Sequence, residues 1–185
     1  MKKFLVPMIA ATAMLLACEG PKTVSFLDVE VDYPADWDLF YENPQEDNDF
    51  ISITKAVEDS TYFGEVNIAI FKDADLAALT DPEEITDYLV SDAYIFADSA
   101  LPNPAQEDIV YTAGLTEDTE FSYDIEKEPY QVWCFFEGVY NGKPYFAEVC
   151  SIKLGEYEVV AFAQGENEEE IEEYLKKTFD TARLK

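Results

Sequence analysis

Three cysteines, forty acidic residues and no histidine in 185 residues set the chemistry open to this chain. Without imidazole there is no His-assisted serine or cysteine nucleophile, no imidazole zinc site and no ordinary proton shuttle near neutral pH. The sequence also lacks G-x-S-x-G, a Walker loop and G-x-G-x-x-G. Carboxylates and thiols remain. Two carboxylates can hydrolyse a glycoside, but among forty acids such pairs arise by chance. The acid clusters Glu46-Asp47-Asn48-Asp49 and Asp73-Ala74-Asp75 offer oxygen ligands of the kind calcium takes. Neither has the D-x-D-x-D-G spacing with a distal Glu that marks an EF-hand loop. Cys134 sits in a Trp- and Phe-rich run, residues 130–140, where burial raises a thiol's pKa and makes it inert. These residues imply a non-enzyme, with no catalytic, cofactor-binding or metal residue assigned and no cofactor expected. A carboxylate-dependent hydrolase and a calcium-dependent adhesion module stay open as alternatives. Trp37, Tyr41, Tyr62, Phe63 and Tyr130 lie near expected strand ends or loops. They either cap the core or present a surface for a sugar or a partner protein.

The elements that must carry these residues follow from hydrophobic period. Residues 24–31, 37–41, 50–54 and 65–71 read as strands. The period then changes. Asp81 is placed as an N-cap, with Pro82 at the first helical position and Glu84 three residues after the cap. Ile85, Tyr88, Leu89 and Phe96 fall near helical spacing, so one face can pack on a sheet. Residues 97–106, with two prolines, read as a loop. The second half is mostly strand: 108–113, 115–125, 130–140, 143–154 and 157–164. Gly155 marks the turn between the last two. Asn167 caps a final helix, with Glu168 to Glu170 at its positive start and Lys176, Lys177 and Arg183 towards its negative end. Its buried stripe is Ile171, Tyr174, Leu175 and Phe179. Consecutive hairpins mean an antiparallel sheet, so the class is α+β, as a single domain.

Asn141-Gly142 is the strongest turn signal in the chain. A two-residue turn there pairs Tyr140 with Lys143, Trp133 with Cys150 and Cys134 with Val149. The two cysteines then point to opposite faces and remain unpaired thiols. Val132, Cys134, Phe136, Tyr145, Ala147 and Val149 share one apolar face, while Glu137 and Glu148 share the other. A three-residue loop would instead pair Cys134 with Cys150 and make a bridge conceivable.

The third cysteine, Cys18, closes the opening segment MKKFLVPMIAATAMLLAC. Lys2 and Lys3 precede an almost purely apolar run from Phe4 to Leu16, about 20 Å long as a helix and too short for the roughly 30 Å hydrocarbon core. The segment therefore reads as a signal peptide. Leu15-Leu16-Ala17-Cys18 resembles the lipobox of bacterial lipoproteins. That resemblance implies a diacylglycerol on the Cys18 sulfur and cleavage before it. Residues 1–17 are then the signal peptide, 18–23 a lipidated tether and 24–185 the domain. It also implies a lipid-anchored, extracytoplasmic place in the bacterial cell envelope. Removing residues 1–17 takes away two lysines and no acids, leaving ten basic and forty acidic residues, a formal charge of −30 on 168 residues. Such a surface repels phosphate backbones, so nucleic acid is excluded as a partner. It also repels anionic headgroups, so the body stands off the membrane and depends on its lipid.

One further resemblance spans about residues 24–183. An early strand runs into Tyr33-Pro34-Ala35-Asp36-Trp37, a helix begins at Asp81-Pro82-Glu83-Glu84, and strong strands at 132–140 and 157–163 precede a final helix. This order is similar to the PsbP-like fold, an antiparallel β-sheet sandwiched by helices. That fold is found in photosystem II extrinsic proteins, a Ran-binding nuclear import factor and bacterial lipoproteins. The resemblance implies a non-catalytic accessory or binding domain for a protein or small ligand. No metal-site or partner-binding residue of the family maps onto this chain.

Overall fold

The computed structural model of the chain describes residues 20–45, 48–55, 64–100, 109–113, 120–124, 129–140 and 143–185. The expected signal segment and Cys18 lie outside them. So do Glu46, Asp47, Tyr62, Phe63 and most of the loop expected at 97–106.

The domain opens with β1 (Lys22–Phe26) and β2 (Val29–Tyr33), an antiparallel hairpin in which Phe26 pairs with Val29. A single strand over 24–31 was the expectation, and it is corrected. The chain reverses at Leu27-Asp28, with Leu27 in the left-handed region at φ +49°. The reversal lets Phe26, Val29, Val31 and Tyr33 all face the core. A continuous strand would have put Phe26 out of phase with the others.

The main sheet follows. Its strands are β3 (Asp38–Gln45), β4 (Asn48–Lys55), β5 (Gly64–Lys72), β6 (Ile109–Ala113), β7 (Ser122–Asp124), β8 (Gln131–Tyr140), β9 (Lys143–Leu154) and β10 (Tyr157–Gly165). Their order is β3-β4-β5-β10-β9-β8-β6, with β7 beside the other half of β8's outer edge. Every pairing is antiparallel. The β8–β9 hairpin has the two-residue register: Tyr140 faces Lys143, Trp133 faces Cys150 and Cys134 faces Val149. Gly155, at φ +61°, makes the tight β9–β10 turn.

Helices cover both faces of the sheet. The short α1 (Ala74–Ala78) and α2 (Pro82–Ala100) lie on one side. Asp81 caps α2, its Oδ1 accepting from the Glu83 and Glu84 N–H groups at 2.9 and 3.3 Å. α2 runs on through Ala97 to Ala100, where a loop was expected, because Ala93 and Ala97 continue its buried stripe. Ile85, Leu89, Ala93 and Ala97 pack on Val132, Cys134, Phe136, Tyr145, Ala147, Val149, Val160 and Phe162. That sheet face is the apolar set the hairpin register predicts.

On the other side, α3 (Glu168–Lys177) is capped by Asn167, whose side chain accepts from Glu170 N–H at 2.9 Å. Ile171, Tyr174, Leu175 and Phe179 are all buried, as the helical spacing requires. The helix ends at Lys177. A 3₁₀ turn over Phe179–Thr181 follows, then β11 (Arg183–Leu184), which joins the small sheet in the order β1-β2-β11. Arg183 is therefore not a helix-end cation, as expected from sequence. It forms ion pairs with Glu30 and Asp32 of β2 at 3.2 and 3.1 Å. The small sheet, α3 and the second face of the main sheet enclose one core, and α2 with the first face encloses the other. The architecture is a single α+β domain, an antiparallel sheet flanked by helices.

Candidate functional site

The strand β10 is buried along nearly all its length, with one face under each helix layer. Its second residue is an acid. Glu158 has no exposed surface and faces the α2 side, because it alternates in step with Val160 and Phe162. Across the ladder it sits opposite Lys153, and Ser151, two residues earlier on β9, reaches it. The Ser151 hydroxyl donates to Glu158 Oε1 at 2.7 Å. The second oxygen, Oε2, is buried and accepts no hydrogen bond. The Lys153 ammonium turns aside, donating to the Leu79 carbonyl at 2.8 Å.

Two further carboxylates converge there. β5 ends beside the start of β10, and Asp73 follows it, its N–H donating to the Glu156 carbonyl at 3.0 Å. Asp73 caps α1: its Oδ1 accepts from the Asp75 and Leu76 N–H groups at 2.8 and 2.9 Å. Its Oδ2 accepts from the Tyr88 hydroxyl at 2.7 Å. One turn beyond Tyr88 on α2, Asp92 comes onto the same helix face. One oxygen from each of Asp73, Asp92 and Glu158 lies within 4.8 Å of the others. Of the cluster Asp73-Ala74-Asp75 weighed as a calcium loop, only Asp73 belongs to this group; Asp75 is exposed on α1.

The environment separates these acids. Burial, and then the facing Asp92 carboxylate, push Glu158 up to about 8 against the pull of Ser151. For Asp73 burial also acts upward, but the Leu76 N–H, the Tyr88 hydroxyl and the Asp75 N–H outweigh it and hold the carboxyl below its ordinary range. The Tyr88 phenol is raised in turn, chiefly by its bond to Asp73. An acid and a base with separated pKa values are what proton-transfer catalysis uses. Glu158 is wholly enclosed, however, and no substrate can touch it.

A second acidic group lies on the α3 side. Glu148, Cys150 and Asp180 line a shallow cleft of about 250 Å³ with Trp133 and Leu175. The Cys150 thiol donates to Glu148 Oε1 at 3.4 Å. Burial raises both Glu148 and Asp180. Both are pushed in the same direction, so the pair lacks the division into acid and base that hydrolysis requires. A wider cleft of about 460 Å³ lies beside α1, lined in part by Leu79, Tyr130 and Lys153.

The remaining expected residues have plain positions. Trp37 is buried and T-stacked on Tyr174, with ring centroids 5.1 Å apart. It is not a surface for ligands. Tyr130 is half-buried at the rim of the wider cleft. Tyr41 lies on β3. Cys134 and Cys150 are free, buried thiols on opposite sheet faces. Burial lifts Cys134 to about 11 and Cys150 well above its ordinary value, with Glu148 adding to both. A thiol reagent at neutral pH should titrate neither Cys134 nor Cys150 in the native protein and both after denaturation. Rapid native labelling, or zero thiols in non-reducing denaturant, would contradict this.

No protein-family model and no curated protein sequence matches the chain. Solved structures do. LpqN of Mycobacterium tuberculosis, a protein involved in cell envelope biogenesis, aligns over 89% of this chain and 90% of its own, with a TM-score of 0.50 and 11% identity. A protein of Bacteroides thetaiotaomicron aligns over 85% of this chain at 12% identity and a TM-score of 0.45, and the match spans 45% of that protein's chain. PA94 of Pseudomonas aeruginosa, of unknown function, aligns over 84% of this chain and 89% of its own, with a TM-score of 0.37 and 10% identity. At such identity the likeness to LpqN shows a related fold. Among the described residues, no helix is long and apolar enough to cross a membrane.

Proposed function

We propose that the protein is a lipid-anchored binding or assembly module on the outer side of a bacterial membrane, with a PsbP-like domain that is not catalytic. The observation that carries this reading is Cys18, placed directly after Leu15-Leu16-Ala17 at the end of a short apolar run that opens with two lysines. The anchor follows from arithmetic: each buried CH₂ contributes roughly 0.8 kcal/mol of membrane affinity, and one chain holds poorly where two or more hold well. LpqN, involved in cell envelope biogenesis, has a related fold, which supports the same compartment. The absence of histidine, the enclosure of Glu158 and the parallel shifts of Glu148 and Asp180 support a role without chemistry.

The test is Cys18→Ala. The variant should move from the membrane fraction to the soluble one and should take up no labelled fatty acid, while the wild type takes it up. A variant that stays membrane-bound, with an unlabelled wild type, would sink the proposal.

One observation favours a second reading. Glu148 and Asp180 line one cleft on the α3 side, which is the placement, without the acid–base division, of an anchored carboxylate hydrolase. Glycoside turnover abolished by both Glu148→Gln and Asp180→Asn would establish it; no turnover on a broad glycoside panel would dismiss it.

A further inference from the structure

We propose that Asp73, Asp92 and Glu158 form a binding site for a single hard divalent cation, calcium in preference to magnesium. The inference stands apart from the membrane anchor and would survive its failure.

The carrying observation is the second oxygen of Glu158. The side chain is entirely buried, Oε1 is satisfied by Ser151, and Oε2 accepts from no donor. Buried carboxylate oxygens without a partner are costly and rare in folded proteins. The group within hydrogen-bonding reach is another carboxyl, Asp92. Two facing carboxyls must hold something positive between them, and the choices are a proton or a metal ion.

The geometry admits the ion. The three ligand oxygens lie within 4.8 Å of one another. A cation that takes carboxylate oxygens at about 2.3–2.6 Å can bridge a group of that spread with small side-chain adjustments. Magnesium gives up its waters reluctantly and is usually held by one or two carboxylates, so a site of three carboxylates suits calcium better. The ligands are also held from behind. Tyr88 and the Asp75 and Leu76 N–H groups orient Asp73, and Ser151 orients Glu158. Such outer hydrogen bonds fix ligand direction in metal sites. Asp73 and Asp92 are only half-buried and form the mouth, with Glu158 as the inner wall.

The groups facing Glu158 are Ser151 and Lys153 from β9, Tyr88 and Asp92 from α2, Asp73 ahead of α1, and Phe71 opposite it on β5. Lys153, the cation placed to neutralise it, bonds the Leu79 carbonyl instead.

The experiment uses the full chain as isolated, in detergent, freed of metal by chelation, at fixed ionic strength. Calcium at about 10 mM should raise Tm by about 5 °C or more, and magnesium by less. Calorimetry should find one calcium bound per chain. Glu158→Gln and Asp92→Asn should abolish the calcium response. Glu158→Gln should still fold, because its amide can accept from Ser151 and donate to Asp92. A wild-type Tm unmoved by either cation would overturn the proposal. So would a rise of the same size in wild type and both variants, which would be charge screening alone.

Discussion

In chelator, the wild-type protein should lose stability as pH rises from about 4.5 to 8.5, and Glu158→Gln should not show that loss. Glu158 titrates near 8 in the fold and near 4.3 in an unfolded chain. Between those values the folded state binds a proton that the unfolded state has released, so unfolding free energy falls as pH rises. The contribution is fully present below about pH 4.5 and is lost through pH 8. At about 1.4 kcal/mol per pH unit, the loss from this group is roughly 5 kcal/mol, or about 10 °C or more in Tm for a chain of this size. Gln keeps both neighbours satisfied at every pH, so at pH 8.5 the variant should melt well above wild type, and at pH 4.5 close to it.

Other groups do not confuse that comparison. Glu148 and Asp180, raised by burial, pull wild type and variant down together as pH rises. Asp32, lowered by Arg183 and then Thr23, and Asp73, lowered by its N–H and Tyr88 bonds against burial, act the other way. Their contribution is present at neutral pH and disappears only as pH falls below about 4. Denaturant curves at pH 4.5, 6.5 and 8.5 measure the effect. Wild-type and variant stabilities running parallel across that range would refute it. Calcium at pH 8.5 should restore wild type, since the ion replaces the proton as the charge between Glu158 and Asp92.

The sheet was legible because its code is local. Asn141-Gly142 fixed one register, and that register separated Cys134 from Cys150 and built the apolar face under α2. Caps at Asp81 and Asn167 located both long helices, and the Ile171–Phe179 spacing gave the buried stripe of α3. What stayed hidden depends on long-range placement. The β1–β2 turn left a trace, since the apolar phase slips between Phe26 and Val29. It carries no Gly, Asn-Gly or Pro to announce it. β11 is two residues long, and only its partner β2, far away in sequence, makes it a strand.

The carboxylate trio drew one residue from each of three distant segments, and no spacing rule connects 73, 92 and 158. Its one legible mark was an acid inside the run Tyr157-Glu158-Val159-Val160, where both faces of the strand are apolar elsewhere. A charged residue in a strand buried on both faces calls for a partner. The partner could not be named until the fold brought α2 across it.

Trp37→Ala should cost about 3–5 kcal/mol of stability, near 10 °C in Tm, and leave the membrane fraction unchanged. Sequence left two roles for this residue, a surface on which a ligand stacks or a plug for the core, and the two differ in magnitude. Trp37 is only 4% exposed. Its N–H donates to the Pro34 carbonyl at 3.1 Å, closing the corner that leads from β2 into β3. Its indole meets Tyr174 of α3 edge-on, at 81° between ring planes. Such a contact contributes about 0.5–1.5 kcal/mol beyond burial. Removing the ring therefore opens a cavity where the small sheet, the main sheet and α3 meet. Trp37→Phe should recover most of the loss by refilling that space. An exposed ligand-stacking tryptophan behaves otherwise: its alanine variant stays within about 0.5 kcal/mol of wild type. Paired denaturation curves decide between these values, with Trp133 left as the fluorescent reporter. An alanine variant as stable as wild type would return Trp37 to the surface and undo the packing of α3 against the small sheet.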